Sequence, residues 1–301
     1  MAMAIFRRRP SLDPAESLAL ARILARPTLE LVPLRSALDH VPALPRGATV
    51  SITASPGRGI EATVDLAEEL AGRGFRAVPH LSARMVRDEA HLRELLVRLE
   101  GSGVERAFVV GGDSTEPGDF PDGLSLLRAM ADIGHPLREV GIPCYPEGHA
   151  FIPDDVLLEA LAAKAPYAQY MTTQLCFDPG AIGSWLGARR AEGFRLPVEI
   201  GLPGVAEVHK LVRIATRIGV RDSGRFLAKN AGLVARLLRP GGFRPDDLLA
   251  GLAPIAADPV ADVCGVHLYT FNEVETTEAW RRQYLARLVV GQPAAWPESA
   301  A

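Results

Sequence analysis

The chain has 301 residues, of which 48% are hydrophobic, and a formal net charge of −3 at pH 7. This length suits one barrel-sized domain, the composition is that of a globular protein with a large core, and the charge gives no reason to expect binding to nucleic acid. We therefore expect a single domain that acts on a small molecule.

Residues 1–26 form a predicted N-terminal extension that holds one helix. Asp13 suits the N-cap of that helix, Pro14 suits its first position, and Glu16 completes a capping box. Charged residues interrupt the segment 11–25, so it lacks the apolar core of a signal peptide. No later segment has about 20 unbroken apolar residues, so we expect no membrane span and a cytoplasmic protein.

Eight short apolar segments follow, and most are separated by stretches that carry apolar residues at helical spacing. The segments are residues 28–34, 48–55, 76–81, 106–112, 139–145, 167–177, 197–202 and 263–271. This alternation predicts a (β/α)8 TIM barrel over residues 27–290, with residues 291–301 as a C-terminal tail. Asp88, Asp122 and Asp178 stand where the helices after the third, fourth and sixth strands are expected to begin.

The regular alternation loosens after the seventh strand. Residues 206–218 predict the seventh helix, and residues 226–238 and 246–257 predict two more before the eighth strand. We interpret the extra material, residues 220–258, as a helical insertion within one domain rather than as a second domain.

Polar residues lie at or just beyond the C-terminal ends of the predicted strands. In a closed parallel barrel, these ends meet at one mouth and carry the catalytic groups. The series predicts one active site built from residues far apart in the chain: Glu30, Thr53, His80, Asp113, His149, Gln174 and Asn272.

Three of these residues have a functional and a purely structural interpretation. Glu30, in an otherwise apolar strand, either acts as an acid or forms an ion pair with a neighbour such as Arg35. Asp113 follows two glycines, so it either meets a ligand or caps a helix. The amide of Gln174 can pair with the edge of a heterocycle or satisfy a neighbouring backbone group.

The run of residues 144–149 gathers Tyr145, Glu147 and His149 at the end of the fifth strand. A metal site would also need His80 and His267, and scattered barrel histidines more often donate hydrogen bonds. We therefore expect no metal.

The sequence lacks three common nucleotide-binding and catalytic patterns. It has no Gly-x-Gly-x-x-Gly run after the first strand, no Walker-type Gly-Lys-Ser/Thr and no Gly-x-Ser-x-Gly. Gly57 and Gly59 can cradle a phosphate or form a tight turn, and the turn is favoured.

The three cysteines fall in predicted strands and are expected to be buried thiols in a reducing compartment: Cys144, Cys176 and Cys264.

Seven short runs at strand ends share their order and spacing with one known family. They are residues 28–33 (TLELVP), 50–53 (VSIT), 79–81 (PHL), 112–113 (GD), 145–149 (YPEGH), 173–178 (TQLCFD) and 267–272 (HLYTFN). Over residues 28–284 the chain resembles the methylenetetrahydrofolate reductase family, whose barrel reduces 5,10-methylenetetrahydrofolate to 5-methyltetrahydrofolate.

The resemblance implies a role for each matching residue. Glu30 matches the acid that protonates the folate, and Asp113 matches the acid beside the reacting carbon. Gln174 and Tyr269, together with Asp113, are implied to bind the substrate. Four further positions are implied to contact FAD, which passes a hydride from NADH or NADPH: Thr53, His80, Tyr145 and His149.

The chain departs from the family pattern where the family holds the distal part of FAD. Gly111 replaces an arginine, and residues 161–163 (LAA) replace basic residues, with only Lys164 close by. Each lost charge-assisted contact costs about 1.5 to 3 kcal/mol. In this the chain resembles divergent actinobacterial-type reductases proposed to work without flavin, with NADH giving its hydride directly to the folate. The alternatives are another pterin-dependent enzyme, such as a methyltransferase, and a folate-binding barrel without catalysis.

Overall fold

The computed structural model describes residues 12–149, 151–205 and 245–290. Within them, eight parallel strands pair in chain order and β8 pairs with β1, which closes a barrel. The strands are β1 (Thr28–Leu31), β2 (Thr49–Ile52), β3 (Arg76–Ser82), β4 (Arg106–Val110), β5 (Glu139–Cys144), β6 (Tyr170–Thr173), β7 (Val198–Pro203) and β8 (Val263–Tyr269). The predicted (β/α)8 barrel is confirmed, with most strands shorter than predicted.

The described helices surround this barrel. They are α1 (Pro14–Ala25), α2 (Glu61–Gly72), α3 (Glu89–Gly101), α4 (Gly123–Ile133), α5 (Asp154–Lys164), α6 (Pro179–Ala191), α7 (Asp246–Ala257) and α8 (Val274–Val290). The capping box of Asp13 and Glu16 is present at the start of α1. Asp88, Asp122 and Asp178 cap α3, α4 and α6, as the sequence predicts.

Only the last of the three helices predicted after the seventh strand can be compared with the structure. It is confirmed as α7, and the indole Nε1 of Trp280 in α8 donates to Asp246 Oδ2 at 2.9 Å. The predicted helices 206–218 and 226–238 and the tail 291–301 lie outside the described residues. Among the helices that the structure describes, none combines the length and the apolar character needed to cross a bilayer.

Successive residues of each strand face opposite sides of the sheet. In β1, Leu29 and Leu31 join the apolar core between sheet and helices, so Glu30 between them faces the inside of the barrel. The register carries this alternation around the ring, because Glu30 is level with Ser51 on β2 and with Tyr269 on β8.

The inside of the barrel is therefore unusually polar for this fold, in which branched apolar residues normally fill the interior. A small apolar cluster of Val78, Phe108 and Tyr170 occupies one part of it. The remaining inward positions include Thr28, Glu30, Ser51, His80, Arg106, Thr172, Glu199, His267 and Tyr269.

Gly201 makes room for one of these inward side chains. It faces the interior beside β8, and a Cβ atom there would lie 2.8 Å from Cε2 of Tyr269 and would also collide with the Thr173 carbonyl oxygen. The missing side chain lets the Tyr269 ring lie against β7.

The prediction for the cysteines is correct for Cys144 alone. Cys176 is buried but lies beyond the end of β6, and Cys264 lies in β8 but is exposed. Val198 pairs with Val263 whereas Glu199 pairs with Gly265, so Cys264 is the unpaired residue of a β-bulge. A bulge breaks the regular alternation of faces, which accounts for the exposure.

Candidate active site

The residues predicted for the site gather at the mouth formed by the C-terminal ends of the strands. Glu30 lies in β1, Thr53 directly follows β2, and Tyr145 and Gln174 directly follow β5 and β6. Asp113 lies in the loop after β4. The barrel thus brings together residues that the sequence separates widely.

Glu30 is buried and lies next to an imidazole. Its side chain is 7% exposed, and its Oε2 lies 3.3 Å from Nε2 of His267 on β8. The suggested alternative pairing with Arg35 is wrong, because β8 supplies the partner instead. A carboxyl group at hydrogen-bond distance from an imidazole can exchange a proton with it inside the barrel.

A second buried carboxylate, Glu199 on β7, was not predicted from the sequence. Its Oε2 lies 3.9 Å from Nδ1 of His267, and its Oε1 lies 3.4 Å from Nη2 of Arg106. The signal that singled out Glu30 was available here too, since Glu199 is an acid within the apolar segment 197–202. His267 therefore stands between two carboxylates.

Gln174 and Tyr269 form a neutral polar pair at the mouth. Gln174 Oε1 accepts from the Leu175 N–H at 3.0 Å and lies 3.4 Å from the Tyr269 hydroxyl. Burial raises the pKa of Tyr269 well above its ordinary value, and Glu30 raises it further, so the hydroxyl stays protonated. In the part of the chain that the structure describes, Nε2 of Gln174 has no hydrogen-bond partner, which leaves it available to a ligand.

Asp113, Tyr145 and His149 form the opposite side of the mouth. The rings of Tyr145 and His149 meet edge to face at 5.4 Å. Burial lowers the pKa of His149 and Asp113 opposes that shift, whereas burial, Cys144 and Asp113 raise the pKa of Tyr145 to about 12. The suggestion that Asp113 caps a helix is wrong, because Asp122 caps α4.

Thr53 directly follows β2, and His80 lies in β3, so both belong to the two strands that come after the strand of Glu30. His80 Nε2 is 2.7 Å from Ser51 Oγ, and burial, with a further contribution from His267, lowers the pKa of His80 to about 3. His80 is therefore neutral at physiological pH. The contacts of Thr53 involve its main chain, whose carbonyl accepts from Thr63 Oγ1 at 3.0 Å.

Ser82 also faces the inside of the barrel, and it was not predicted from the sequence as a site residue. It ends β3, it is 1% exposed, and its Oγ has no hydrogen-bond partner among the residues described. Gly112 lies directly against it with φ at +89°, and a Cβ atom at Gly112 would collide with Ser82 Oγ. A buried hydroxyl without a partner at a barrel mouth is a candidate ligand contact.

The Glu147 carboxylate has a structural role. Glu147 Oε1 accepts from the main-chain N–H groups of Phe177 and Asp178 at 2.7 and 2.6 Å, which joins the loops after β5 and β6. Within residues 12–149, 151–205 and 245–290, no three His, Cys, Asp or Glu side chains form a group that could hold a metal.

The loop at Gly57 and Gly59 has the geometry of a tight turn. Gly59 has φ at +78°, and Glu61 follows it at the start of α2. The Glu61 carboxylate lies 3.2 Å from His91 Nε2. A carboxylate in the first turn of α2 disfavours a phosphate there.

Asn272, which the sequence places among the site residues, is engaged by the backbone. Its Oδ1 accepts from the Val32 N–H at 2.8 Å, and its Nδ2 donates to the Val32 carbonyl at 3.1 Å. Its φ of +63° lies in the left-handed region, which Asn tolerates better than most residues. Asn272 therefore fastens the loop after β8 to the loop after β1.

Replacing Asn272 with alanine is expected to destabilise the protein by about 2 to 4 kcal/mol, because two partly buried hydrogen bonds are lost and alanine is strained at positive φ. Asn272→Gly removes the same hydrogen bonds without the strain, so it should be the less destabilised of the two. Urea unfolding followed by circular dichroism measures both. Unfolding midpoints equal to that of the wild type would contradict the structural role.

Comparison with known proteins gives limited similarity. No known family model matches the chain. It is 26% identical over 143 residues to methylenetetrahydrofolate reductase 1 of Schizosaccharomyces pombe, which covers 44% of this chain and 23% of the yeast protein. The chain thus spans less than a quarter of the length of that relative.

Two solved structures from Burkholderia cenocepacia J2315 show likeness at low identity. A proposed phosphonomutase is 15% identical with a TM-score of 0.38, over 74% of this chain and 99% of that chain. A proposed lyase/mutase is 14% identical with a TM-score of 0.44, over 92% of this chain and 87% of that chain. Neither likeness bears on the reaction. The chain is a (β/α)8 barrel that is similar over part of its length to a methylenetetrahydrofolate reductase.

Proposed function

We propose that this protein reduces 5,10-methylenetetrahydrofolate to 5-methyltetrahydrofolate with NADH or NADPH. The observation that carries the proposal is the buried Glu30, 3.3 Å from His267 and facing the inside of the barrel near its mouth. The similarity to the reductase of Schizosaccharomyces pombe, although limited to 143 residues, supports the same reaction.

Glu30 acts as the general acid. Opening the five-membered ring of the substrate requires a proton on the departing nitrogen and leaves an iminium cation. Glu30 gives that proton, and the Asp113 carboxylate at the rim stabilises the cation. A hydride from the nicotinamide then adds to the iminium carbon, which gives the methyl product.

Gln174 and Tyr269 orient the pterin. The Tyr269 hydroxyl donates to the Thr173 carbonyl at 3.2 Å and lies 3.4 Å from Gln174 Oε1, which fixes the direction of the amide. Nε2 of Gln174 then donates to an acceptor on the heterocycle. Ser82 Oγ supplies a second polar contact from β3.

The positions that the family uses to hold the flavin diphosphate fit that group poorly here. A Cβ atom at Gly111 would meet no atom within 4 Å, so packing does not exclude a side chain at the position where the family has an arginine. Leu161 is buried in the core, and Ala162 and Ala163 are exposed and uncharged. We therefore propose that the nicotinamide binds beside the folate and is the direct source of the hydride.

The test of the function is oxidation of NADH or NADPH by the purified protein, followed at 340 nm with and without methylenetetrahydrofolate. We expect oxidation that depends on the folate, with 5-methyltetrahydrofolate as the product. A methyltransferase would consume no nicotinamide, and a folate-binding barrel without catalysis would bind the folate with no turnover.

Replacing Asp113 with asparagine is expected to lower turnover by roughly ten-fold without changing stability, because the charge beside the iminium is lost and Asp113 caps no described helix. Asp122→Ala is the matched control. It removes the cap of α4, so it should cost about 1 kcal/mol of stability and leave turnover unchanged. Steady-state kinetics and thermal unfolding of both variants separate the two effects, and an Asp113→Asn variant that loses stability but not turnover contradicts the role.

The purified protein is expected to be colourless, since the cations for a flavin diphosphate are missing at Gly111, Ala162 and Ala163. Direct transfer requires folate and nicotinamide to be bound together, so double-reciprocal plots should converge. A flavin relay gives ping-pong kinetics with parallel lines. A yellow protein with one FAD per chain and parallel lines would contradict direct transfer.

A further inference from the structure

Ionisable side chains form a continuous series across the inside of the barrel, starting at Glu30. His267 Nε2 lies 3.3 Å from Glu30, His267 Nδ1 lies 3.9 Å from Glu199, and Glu199 lies 3.4 Å from Arg106. Glu30, Glu199 and His267 are each less than a tenth exposed. The series joins β1, β8, β7 and β4, and Glu30 at its mouth end is the only member for which the proposed reaction gives a task.

The series holds two carboxylates, those of Glu30 and Glu199, and one guanidinium group, that of Arg106. Arg106 faces Glu199 at 3.4 Å and also Glu139, whose Oε2 lies 2.7 Å from Nε of Arg106. One guanidinium is therefore divided between two carboxylates, and among the residues that the structure describes no arginine or lysine pairs with Glu30. His267 lies between Glu30 and Glu199, and its two ring nitrogens face one carboxylate each, at 3.3 Å for Glu30 and 3.9 Å for Glu199.

Three described groups near His267 keep one protonation state near neutral pH, namely His80, Tyr269 and Arg106. Burial and His267 hold the pKa of His80 at about 3, and burial with Glu30 raises that of Tyr269 well above its ordinary value. Burial works against the charge of Arg106, but Tyr170, Glu199 and Glu139 together raise its pKa.

The proposed reaction consumes one proton per turnover, and among the described residues His267 is the ionisable side chain within hydrogen-bond distance of the Glu30 carboxyl group. We propose that His267 is the proton donor that restores Glu30, and that Glu199, anchored by Arg106, holds the imidazolium for this step. The Nε2–H bond of His267 breaks and the Oε2–H bond of Glu30 forms, which leaves a neutral imidazole. Net uptake of one proton from the solvent then restores the imidazolium and completes the proton balance of the turnover. The chemical step rests on the proposed function, whereas the proton sharing between Glu30 and His267 does not.

The first test needs no substrate. The ring resonances of His267 are followed by NMR as a function of pH in the wild type and in Glu30→Gln and Glu199→Gln. Each variant removes a negative charge beside the ring, so the titration midpoint of His267 should move to lower pH in both, whereas the exposed control Glu69→Gln should not move it. A midpoint of His267 that is unchanged in Glu30→Gln overturns the proposal, and that variant decides even where Glu199→Gln does not fold.

The second test is kinetic. His267→Gln keeps an N–H donor toward Glu30 but cannot deliver a proton, so turnover should fall by about ten-fold or more, with a larger solvent isotope effect and an unchanged KM for the folate. His135→Gln, in the loop between α4 and β5, is the matched control. Normal turnover of His267→Gln overturns the relay. A wild type without reductase activity contradicts the proposed function instead, and the NMR titration still decides whether Glu30 and His267 share a proton.

Discussion

Replacing Glu30 with glutamine is expected to lower turnover about 100-fold or more, while substrate affinity changes little. Glutamine has nearly the same size and can still hydrogen-bond to His267, which lies 3.3 Å from the carboxylate. Glutamine supplies no acidic proton, so the nitrogen must depart without being protonated, and an unprotonated amine is a poor leaving group. Steady-state kinetics with saturating NADH measure the loss.

Glu69→Gln is the control for this substitution. Glu69 is exposed on α2 and paired with Arg73, so the same chemical change there should leave turnover intact. Turnover of the Glu30→Gln variant close to that of the wild type would remove Glu30 from the mechanism.

Replacing Gln174 with alanine is expected to raise the KM for the folate by about ten-fold or more, because paired hydrogen bonds worth about 1 to 2 kcal/mol are lost. The Tyr269 hydroxyl, 3.4 Å from Gln174 Oε1, loses a neighbour as well, so the pterin is oriented less well. The KM for the nicotinamide should change little, because the Gln174 amide is proposed to contact the folate.

Gln169 provides a matched glutamine on the same segment of the chain. Its Oε1 accepts from the Val140 N–H at 2.7 Å, before the start of β6 and away from the mouth. Gln169→Ala should therefore lower the unfolding temperature and leave the KM for the folate unchanged. A folate KM that is unchanged in Gln174→Ala would assign Gln174 to the core.

The order of the strands could be predicted from the sequence because most βα units repeat the same pattern, and the ends of the strands fix which residues reach the mouth. The boundaries were less predictable. The apolar run 167–177 exceeds β6 (Tyr170–Thr173), because Cys176 and Phe177 pack against the core from a loop. Apolar character reports burial, and loops that cover a barrel are buried as well.

The roles of individual polar residues depend on contacts that the sequence does not contain. Asn272 and Glu147 resemble site residues by type and position, yet each binds main-chain groups of a distant loop. Glu199 matters because β7 places it beside His267, and neither residue is near the other in the chain. Strand order predicts which ends meet, whereas loop geometry decides which side chains remain available.

The pairing of β1 with β8 joins the two ends of the described barrel, and Glu30 and His267 lie on opposite sides of this seam. Contacts over such a sequence separation form late in folding, since the entropy of closing the loop must be overcome first. A chain with the other strands paired but the seam open would have its acid exposed to solvent and separated from its imidazole. Recovery of the proposed activity after dilution from denaturant should therefore follow the slowest folding phase, and its rate would measure the closure of the barrel.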